Sequence, residues 1–592
     1  MYLLVLLPQS FARLLLFFVT RTLYRVKVVG RERFPQNSGA LLVSNHMSFV
    51  DAALLLAATD RPIRFFMDQG IYDLAIVKPL ARIMKAIPIS SEQHPREMIR
   101  SLHAATLALR EDEIVCIFVE GQITRTGQLL PFRRGLERIM KDVDAPIIPV
   151  NLDGVWGSIF SFERGRFLWK LPRRMAHKIT VSFGRPMPPT STAIEVSAVV
   201  QELHAEAFGR RKAYMQPLDR AFVSTARRSR RRFMMADGNT PRVTFGAALT
   251  KTLYIARRLR SLIGERRMIG VLLPPSPGGA LTNYALMLLG RIPVNLNYTS
   301  SSEVLTSCAA QCDLEVVITS KAFIDKFPNL RVPGCTLLLE DALREPKTSE
   351  KLCALALSWL VPAAMLRRSL GGSSLSDLTA AEMPMDQIAT VIFSSGSTSD
   401  PKGVMLSHFN IESNISQVSQ VFMLGGRDKI LGILPFFHSF GFMAGLWLPA
   451  VNGIGVVYHP NPLDAQAIGA LVAKYKVTFM VATPTFLQTY MRRCSPETFG
   501  SLEYVLVGAE KLQERVAIAF EDLFGIRPLE GYGCTECSPV VAVNGRDYRA
   551  PGFRQIAARR GRIGHPLPGV SVKVVDIIPA PPFLRGPQEC CW

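Results

Sequence analysis

Short apolar segments of strand length recur along this chain, and each is followed by a longer stretch with helical spacing. Four such segments lie in the first third of the chain: ALLVS at 40–44, IVCIFV at 114–119, PIIPVNL at 146–152 and ITVSF at 179–183. Strands that alternate with helices are typical of layered folds with largely parallel sheets. The sequence therefore predicts an α/β fold.

The same alternation resumes further along the chain. A second series contains MIGVLL at 268–273, IPVNL at 292–296 and EVVIT at 315–319, and a third runs from ATVIFSS at 389–395 to VSVKVVD at 570–576. A chain of 592 residues exceeds what one hydrophobic core normally holds, so we expect several domains. The expected regions are an apolar entry segment (1–30), a first α/β domain (31–215), a basic linker (216–240), a second α/β domain (241–576) and an irregular tail (577–592).

The charge balance points to anionic partners. Lys and Arg number 69 against 48 Asp and Glu, a formal net charge of +21. Such an excess favours acidic lipid or an acidic carrier protein, and with no nucleic-acid fold signature we expect no nucleic-acid partner. The ten cysteines show no pair of C-x-x-C motifs of the kind that binds zinc, so we expect reduced thiols.

Two segments suggest contact with a membrane, and residues 350–380, which include LSWLVPAAMLRRSL, fit a surface or membrane-facing excursion. The first twenty residues are apolar but contain Pro8, Gln9 and Arg13, which fits a segment lying in the membrane interface better than a spanning helix or a signal peptide. A helix packed on the protein's own core is the alternative. The arginine-rich run at 227–232 fits either docking on acidic lipid or a solvated helix end.

A candidate catalytic pair follows the first predicted strand. His46 and Asp51 lie five positions apart, directly after ALLVS. A carboxylate there can fix the imidazole tautomer, so that the other ring nitrogen takes a proton from an alcohol. The pair corresponds to two members of a Ser-His-Asp triad, with the substrate's own hydroxyl in place of serine.

A second turn carries candidate phosphate-binding groups. The segment 114–119 leads into Glu120, Gly121 and, four residues later, Arg125. A glycine-containing turn with an arginine suits a phosphate, because guanidinium offers a planar fork to its oxygens.

These elements, with the APIIPV strand, resemble the glycerolipid acyltransferase family over roughly residues 25–215. The resemblance implies that His46 is the general base, that Asp51 orients it, and that the cluster of Glu120, Gly121 and Arg125 binds the glycerol phosphate of a lysophospholipid. Many members carry an arginine where this chain has Ile123, so the basic role falls to Arg125.

A loop rich in hydroxyls and glycine marks a second site. The strand ending in IFS runs into a segment that closes with Pro-Lys-Gly. Small residues allow backbone NH groups to approach a triphosphate, and the hydroxyls and the lysine add donors and charge. The ATP-binding candidates here are Ser395, Gly396, Ser397, Thr398 and Lys402.

Three later motifs complete this second site. The segment LPFFHSFG contains His438, the segment VGAE contains Gly508, Ala509 and Glu510, and the segment EGYGCTE contains Tyr532, Thr535 and Glu536. Tyr532 can stack on adenine, Thr535 can bond a phosphate and Glu536 can hold Mg²⁺.

Together these motifs resemble the adenylate-forming superfamily of acyl-CoA and acyl-carrier synthetases over roughly residues 240–575. The resemblance implies ATP, Mg²⁺, a fatty acid, and acyl carrier protein or coenzyme A as the acceptor, with His438 in the acyl pocket. Members continue past the GRIGHPLPG segment into a small mobile domain with a catalytic lysine, and we expect this chain to lack it.

The domain order resembles the bacterial bifunctional family that joins an acyl-[acyl-carrier-protein] synthetase to a 2-acylglycerophosphoethanolamine acyltransferase. This implies an enzyme at the cytoplasmic face of the inner membrane. Two alternatives stay open. One is a 1-acylglycerol-3-phosphate acyltransferase with a coenzyme A ligase, and the other is an acyltransferase joined to a non-catalytic nucleotide- or acyl-binding module.

Overall fold

The protein has a mixed α/β architecture, as the sequence predicts. The computed structural model describes residues 24–75, 77–89, 95–163, 177–345, 347–370, 384–394, 400–550 and 553–575. The chain forms two compact units. Unit 1 comprises residues 1–211, 547–556 and 565–592, and unit 2 comprises residues 212–546 and 557–564.

Unit 1 is built on one mainly parallel sheet in the order β1-β7-β6-β2-β5-β3-β4, in which only the β6–β7 pair is antiparallel among the described residues. Its strands are β1 (Tyr24–Val29), β2 (Ala40–Ser44), β3 (Ile63–Asp68), β4 (Ile87–Ile89), β5 (Ile114–Phe118), β6 (Ile147–Asp153) and β7 (His177–Phe183). Strands β2 and β6 are buried along their whole length, as expected for the centre of a sheet covered on both faces.

Helices cover this sheet. They are α1 (Asp51–Ala58), α2 (Gln69–Tyr72), α3 (Lys78–Ile83), α4 (Pro95–Arg110), α5 (Gly135–Ile139) and α6 (Ala193–Gly209). Helix α6 starts with a capping box, in which Thr192 and Glu195 satisfy each other's backbone NH groups.

Unit 2 contains a large sheet in which the parallel strands run in the order β20-β19-β18-β16-β17-β8, with β21 antiparallel to β20 and β9 antiparallel to β8. These strands are β8 (Phe233–Ala236), β9 (Val243–Thr244), β16 (Lys429–Gly432), β17 (Gly455–Tyr458), β18 (Phe479–Ala482), β19 (Tyr504–Val507), β20 (Leu529–Gly533) and β21 (Val540–Val543).

A parallel four-stranded sheet and an antiparallel hairpin complete the strands of unit 2. The sheet consists of β10 (Met268–Val271), β11 (Ile292–Asn295), β12 (Val316–Thr319) and β13 (Cys335–Leu338), and the hairpin of β14 (Ile388–Ser394) and β15 (Lys402–Ser407). The last short strands of the chain, which belong to unit 1, are β22 (Tyr548–Ala550), β23 (Phe553–Gln555) and β24 (His565–Pro566).

The helices of unit 2 lie between these strands. They are α7 (Leu218–Arg228), α8 (Phe245–Ile263), α9 (Pro277–Leu288), α10 (Ser302–Gln311), α11 (Lys321–Ile324), α12 (Leu339–Ala342), α13 (Thr348–Leu360), α14 (Ala363–Ser369), α15 (His408–Phe422), α16 (Leu448–Asn452), α17 (Ala465–Tyr475), α18 (Pro484–Arg493) and α19 (Glu514–Phe524). A π-helix spans Gly441–Trp447.

The strand predictions agree with the structure except at the end of the last series. Residues 570–575 form no strand, and Val572, Val574 and Val575 are exposed. Alternating valines favour a strand only where a neighbouring strand supplies hydrogen bonds. The segments 547–556 and 565–575, placed in the second domain by the sequence, belong to unit 1.

Two arginines of the 227–232 run, Arg227 and Arg230, make contacts within unit 2. Arg227 donates from Nε to the carbonyl oxygen of Ser358 at 2.9 Å and also contacts the carbonyl oxygen of Val361. Arg230 lies over the ring of Trp359. Arg227 therefore satisfies carbonyl groups at the end of the helix Thr348–Leu360. Arg231 and Arg232, by contrast, are exposed.

The eight cysteines that the structure describes form no disulfide. Within the described residues, no helix combines the length and the apolar character needed to cross a membrane. The apolar start at 1–20 and the irregular tail lie outside the described residues.

Candidate active sites

The structure places His46 and Asp51 in direct contact. His46 follows the end of β2 and Asp51 opens α1, and the distance from His46 Nδ1 to Asp51 Oδ2 is 2.9 Å. The same carboxylate oxygen accepts backbone hydrogen bonds from Met47 at 2.7 Å and Ser48 at 2.9 Å. Because Asp51 is fully buried, these bonds fix both its position and the tautomer of the imidazole.

The imidazole is also held from its face. The ring of His46 stacks on Phe118 with 4.1 Å between centroids. Its side chain is partly exposed, and Nε2 has no hydrogen-bond partner in the part of the chain that the structure describes. The geometry therefore presents one ring nitrogen to an incoming hydroxyl, with the other fixed by Asp51.

Glu120 accepts hydrogen bonds from two backbone NH groups at this site. Its Oε1 accepts the backbone NH of His46 and its Oε2 accepts the backbone NH of Leu130, both at 2.8 Å. Glu120 is buried, and burial raises its pKa to about 8, although the two NH donors act in the opposite direction. Glu120 thus joins the segments that contain His46 and Leu130 through its two carboxylate oxygens.

The glycine of this turn makes room for a different arginine. Gly121 has a φ of 71°, and a Cβ added there would lie 2.8 Å from the guanidinium of Arg133. Glycine adopts this left-handed backbone without strain and leaves room for the guanidinium. Arg133 is exposed, so it is a cation available beside the turn.

Arg125 has a different environment from the one expected for a phosphate ligand. Its guanidinium lies 3.0 Å from the ring centroid of Phe162 and 4.8 Å from that of Phe553. Its backbone NH donates to Oε1 of Gln555 at 2.6 Å, and Gln555 Nε2 donates to the carbonyl oxygen of Ile123 at 3.3 Å. Desolvation lowers the pKa of Arg125, and its main contacts are aromatic.

The motifs of the second site collect at one edge of the large sheet in unit 2. Parallel strands share the edge at which they end, which is where α/β proteins bind ligands. The segment with His438 follows β16, Gly508 follows β19, and Tyr532 lies at the end of β20. A Cβ added at Gly508 would lie 3.5 Å from the backbone oxygen of Gly531 and 3.6 Å from the Phe440 ring, so three motifs meet at this glycine.

The turn after β19 has an unusual backbone. Ala509 has a φ of 69°, a conformation that is uncommon outside glycine and is often found at functional sites. The following residue, Glu510, is exposed, and its Oε2 accepts a hydrogen bond from Thr485 at 3.3 Å.

The candidate nucleotide-binding side chains are accessible. Tyr532 and Glu536 are exposed, and the Thr535 hydroxyl lies 3.4 Å from that of Ser439. Strand β15 packs against the turn at Thr535–Cys537, and its first residue, Lys402, is exposed and paired in register with Ser394. The segments that carry Tyr532, Thr535, Glu536 and Lys402 are thus neighbours in unit 2.

The four loop candidates Ser395, Gly396, Ser397 and Thr398 lie outside the described residues. Their flanks are the antiparallel strands β14 and β15, so the segment connects the two strands of a hairpin. Within the described residues, no group of three or more His, Cys, Asp and Glu could hold a metal.

The segment after β16 continues into the π-helix Gly441–Trp447, which is fully buried. His438 itself is exposed, and its Nδ1 accepts the backbone NH of Phe440 at 3.2 Å. Two buried tyrosine hydroxyls, of Tyr284 and Tyr458, donate to carbonyl oxygens of the π-helix at 2.8 and 2.9 Å. π-Helices are rare and frequently occur at functional sites.

Sequence reasoning did not single out Gln555 or Glu412. Glu412 lies on α15, which packs against the π-helix. Desolvation raises its pKa to about 8, and its Oε2 has no partner among the described residues. The only sign of Glu412 in the sequence is that it stands beside apolar positions of a helix.

The family model described as AMP-binding enzyme matches residues 212–582, which is more than half of the chain. The chain is a member of the AMP-binding enzyme family. A second family model, described as acyltransferase, matches residues 25–153, the range that contains His46, Asp51 and Glu120. The chain therefore joins an acyltransferase domain to an AMP-binding domain.

Known proteins of this family are related to parts of the chain. A long-chain-fatty-acid–CoA ligase of Escherichia coli O157:H7 is 30% identical over 220 residues, covering 35% of this chain and 38% of the ligase. A long-chain-fatty-acid–CoA ligase of Bacillus subtilis (strain 168) is 26% identical over 353 residues, covering 56% of this chain and 61% of the ligase.

Among solved structures, o-succinylbenzoate coenzyme A synthetase (MenE) from Bacillus subtilis in complex with ATP and magnesium ion is 20% identical. That match has a TM-score of 0.46 and covers 60% of this chain and 65% of the synthetase. The chain thus spans less than two thirds of the length of each of these three relatives.

Proposed function

We propose that this AMP-binding family member activates a fatty acid with ATP and transfers the acyl group to a lysophospholipid hydroxyl. The acceptor would be 2-acylglycerophosphoethanolamine, and the acyl donor a thioester of acyl carrier protein. The setting would be the cytoplasmic face of a bacterial inner membrane. The observation that carries the acyl-transfer step is the fixed contact between Nδ1 of His46 and Asp51, in a histidine whose side chain is partly exposed.

The chemistry follows from that geometry. Nε2 of His46 removes the proton of the acceptor hydroxyl while the hydroxyl oxygen attacks the carbonyl carbon of the thioester. Collapse of the tetrahedral intermediate forms the ester and expels the thiolate, which takes the proton back from the imidazolium. Asp51 stabilises that imidazolium from the buried side.

The acceptor's phosphate would bind beside the Glu120–Gly121 turn. Arg133 is exposed there, whereas Arg125 lies against aromatic rings. We therefore assign the phosphate contact to Arg133 and give Arg125 a supporting part in the loop. Every lysophospholipid carries this phosphate, whatever its headgroup. Selectivity among headgroups must therefore come from residues other than Arg133.

The activating half uses the edge of the unit 2 sheet. Tyr532 offers a face for adenine, while Thr535 and Lys402 offer donors to phosphate oxygens. Mg²⁺ is commonly held by one or two carboxylates together with substrate phosphates, and the exposed Glu536 suits that role. When bound, the ion would neutralise phosphate charge as the fatty-acid carboxylate attacks.

The test is a coupled assay on the full chain. Labelled fatty acid, ATP and Mg²⁺ are supplied with acyl carrier protein or coenzyme A, and with 2-acylglycerophosphoethanolamine or 1-acylglycerol-3-phosphate as acceptor. We expect thioester first and then diacyl lipid, with acyl carrier protein and the ethanolamine lipid preferred. Preference for coenzyme A and the phosphate lipid would favour the alternative enzyme.

A non-catalytic second half is the other outcome. It would bind ATP but release no pyrophosphate with any fatty acid, while transfer from a preformed thioester continued. Absence of both activities would refute the proposed function.

A further inference from the structure

Helix α13 of unit 2 carries large apolar side chains on its outer face. Leu352, Leu355, Trp359 and Leu360 are all exposed, Trp359 by 60% and Leu360 by 78%. We call these four side chains the α13 apolar face. Spacings of three and four residues place Leu352, Leu355 and Trp359 on one side of the helix, and Leu360 borders that side.

The inner side of α13 is lined by small residues. Ala354 and Ser358 are buried and the helix packs against α8, where the hydroxyl of Thr250 lies 3.4 Å from that of Ser358. A surface helix in water normally has the opposite arrangement, with its large apolar side chains towards the core. Contiguous exposed apolar surface of this kind marks an interaction site.

Cations surround the α13 apolar face. The guanidinium of Arg230 lies 2.9 Å from the ring centroid of Trp359, and Lys347 and Lys351 are exposed at the start of the helix. The nearby acid Glu350 is paired with Arg258 at 2.8 Å. The α13 apolar face therefore has positively charged side chains at both ends: Arg230 beside Trp359, and Lys347 and Lys351 at the start of the helix.

We infer that the α13 apolar face is a membrane-docking surface that inserts into the interface of an anionic bilayer. Leucines would enter the acyl-chain boundary, while the Trp359–Arg230 pair would lie at the headgroup level, where tryptophan and cationic side chains are favoured. These positively charged side chains complement acidic headgroups. A second copy of this chain would instead place like charges together.

The docked helix is held firmly to its unit. Arg227 donates to the carbonyl oxygens of Ser358 at 2.9 Å and Leu357 at 3.2 Å, at the end of α13. Insertion would therefore bring unit 2 to the bilayer, where long-chain fatty acids partition. The inference deepens the proposed function by naming the surface that meets lipid, and its test requires no catalysis.

The experiment measures binding of the full chain to vesicles of phosphatidylcholine with and without phosphatidylglycerol. The variant replaces Leu352, Leu355, Trp359 and Leu360 with Gln, which keeps good helix propensity. We expect its partition coefficient on anionic vesicles to fall about tenfold or more, because buried apolar area drives interfacial binding. The matched control changes three exposed apolar residues elsewhere in unit 2, Leu463, Ile518 and Leu523, to Gln and should bind as the unmodified chain does.

A second readout locates Trp359 directly. Vesicles that contain brominated phosphatidylcholine should quench Trp359 fluorescence, and Trp359→Phe should bind normally but lose that quenched component. Unchanged binding of the four-residue variant, or full quenching in Trp359→Phe, would overturn the inference. So would a fall in sedimentation coefficient of the four-residue variant without lipid, which would indicate a self-association surface. Retained acyl transfer to a short-chain, water-soluble lysophospholipid would separate lost docking from lost catalysis.

Discussion

The backbone NH of His46 donates a hydrogen bond of 2.8 Å to Oε1 of Glu120. The candidate base is therefore positioned by a buried carboxylate from the neighbouring strand end, in addition to Asp51. Since Thr124 also donates its backbone NH to the carbonyl oxygen of His46 at 3.1 Å, both backbone groups of the histidine are fixed. The orientation of His46 therefore depends on three neighbouring residues, Asp51, Glu120 and Thr124.

Glu120 should give the stability of the protein a specific pH dependence. Its pKa in the folded chain is raised from 4.5 to about 8, so between these values the folded state holds a proton that the unfolded state has released. The free energy of unfolding should then fall as pH rises from about 4.5 to about 8. Urea unfolding of the chain and of Glu120→Gln, compared across this range, isolates the effect. A destabilisation by Glu120→Gln that stayed constant with pH would contradict it.

His46→Ala should remove acyl transfer and leave fatty-acid activation intact. General-base contributions are about 10²–10⁴-fold, and the variant should lose that much in transfer from a preformed thioester. Pyrophosphate exchange should be unchanged, because the nucleotide candidates lie in unit 2. His103→Ala, an exposed histidine on α4, is the matched control. Near-normal transfer by His46→Ala would refute the catalytic assignment.

Arg133→Gln should raise KM for the lysophospholipid, since it removes the exposed cation beside Gly121. A charge-assisted hydrogen bond contributes about 1.5–3 kcal/mol, which corresponds to a rise of roughly ten- to a hundredfold. The adjacent Arg134→Gln is the control, because Arg134 is equally exposed. Steady-state kinetics with varied acceptor provides the measurement, and equal effects of the two variants would show nonspecific charge attraction.

Arg227→Ala should destabilise unit 2, because it removes the charged donor from three carbonyl groups at the end of α13. Unsatisfied buried acceptors cost about 1–3 kcal/mol. Thermal unfolding should show a lower midpoint for this variant than for Arg231→Ala, which removes an exposed side chain. The reverse order would show that the contacts of Arg227 do not stabilise unit 2.

Lys402→Met should slow pyrophosphate exchange by about 10²–10³-fold, the usual effect of removing a positioned charge from a transition state. The comparison is Lys474→Met, an exposed lysine on α17 away from the motif edge. If both variants exchange pyrophosphate at the unmodified rate, Lys402 has no part in activation.

Local patterns were enough to predict the fold class and the main strands. ALLVS and ATVIFSS became β2 and β14 because their apolar, β-branched residues fit buried strands. The His46–Asp51 contact was also predictable, since five residues at a strand end can close one turn. The role of a side chain was harder to predict where its contacts come from residues far away in the sequence.

Arg125 shows why. Its charge suggested a phosphate ligand, but its environment is set by Phe162 and by Phe553, and the latter lies more than four hundred residues later. Glu120 likewise has two backbone partners, the NH groups of His46 and Leu130, that its motif did not reveal. Such assignments depend on long-range packing, which no local spacing encodes.

The hydrogen bonds between Gln555 and the backbone of residues 123–125 affect how the chain can fold during synthesis. Unit 1 begins at the start of the chain, yet it also contains 547–556, so the ribosome must first make all of residues 212–546. At about 5–20 residues per second, that interval lasts on the order of tens of seconds. During it, the loop around Arg125 lacks its last partner. Unit 1 is therefore completed late, after most of unit 2 has left the ribosome.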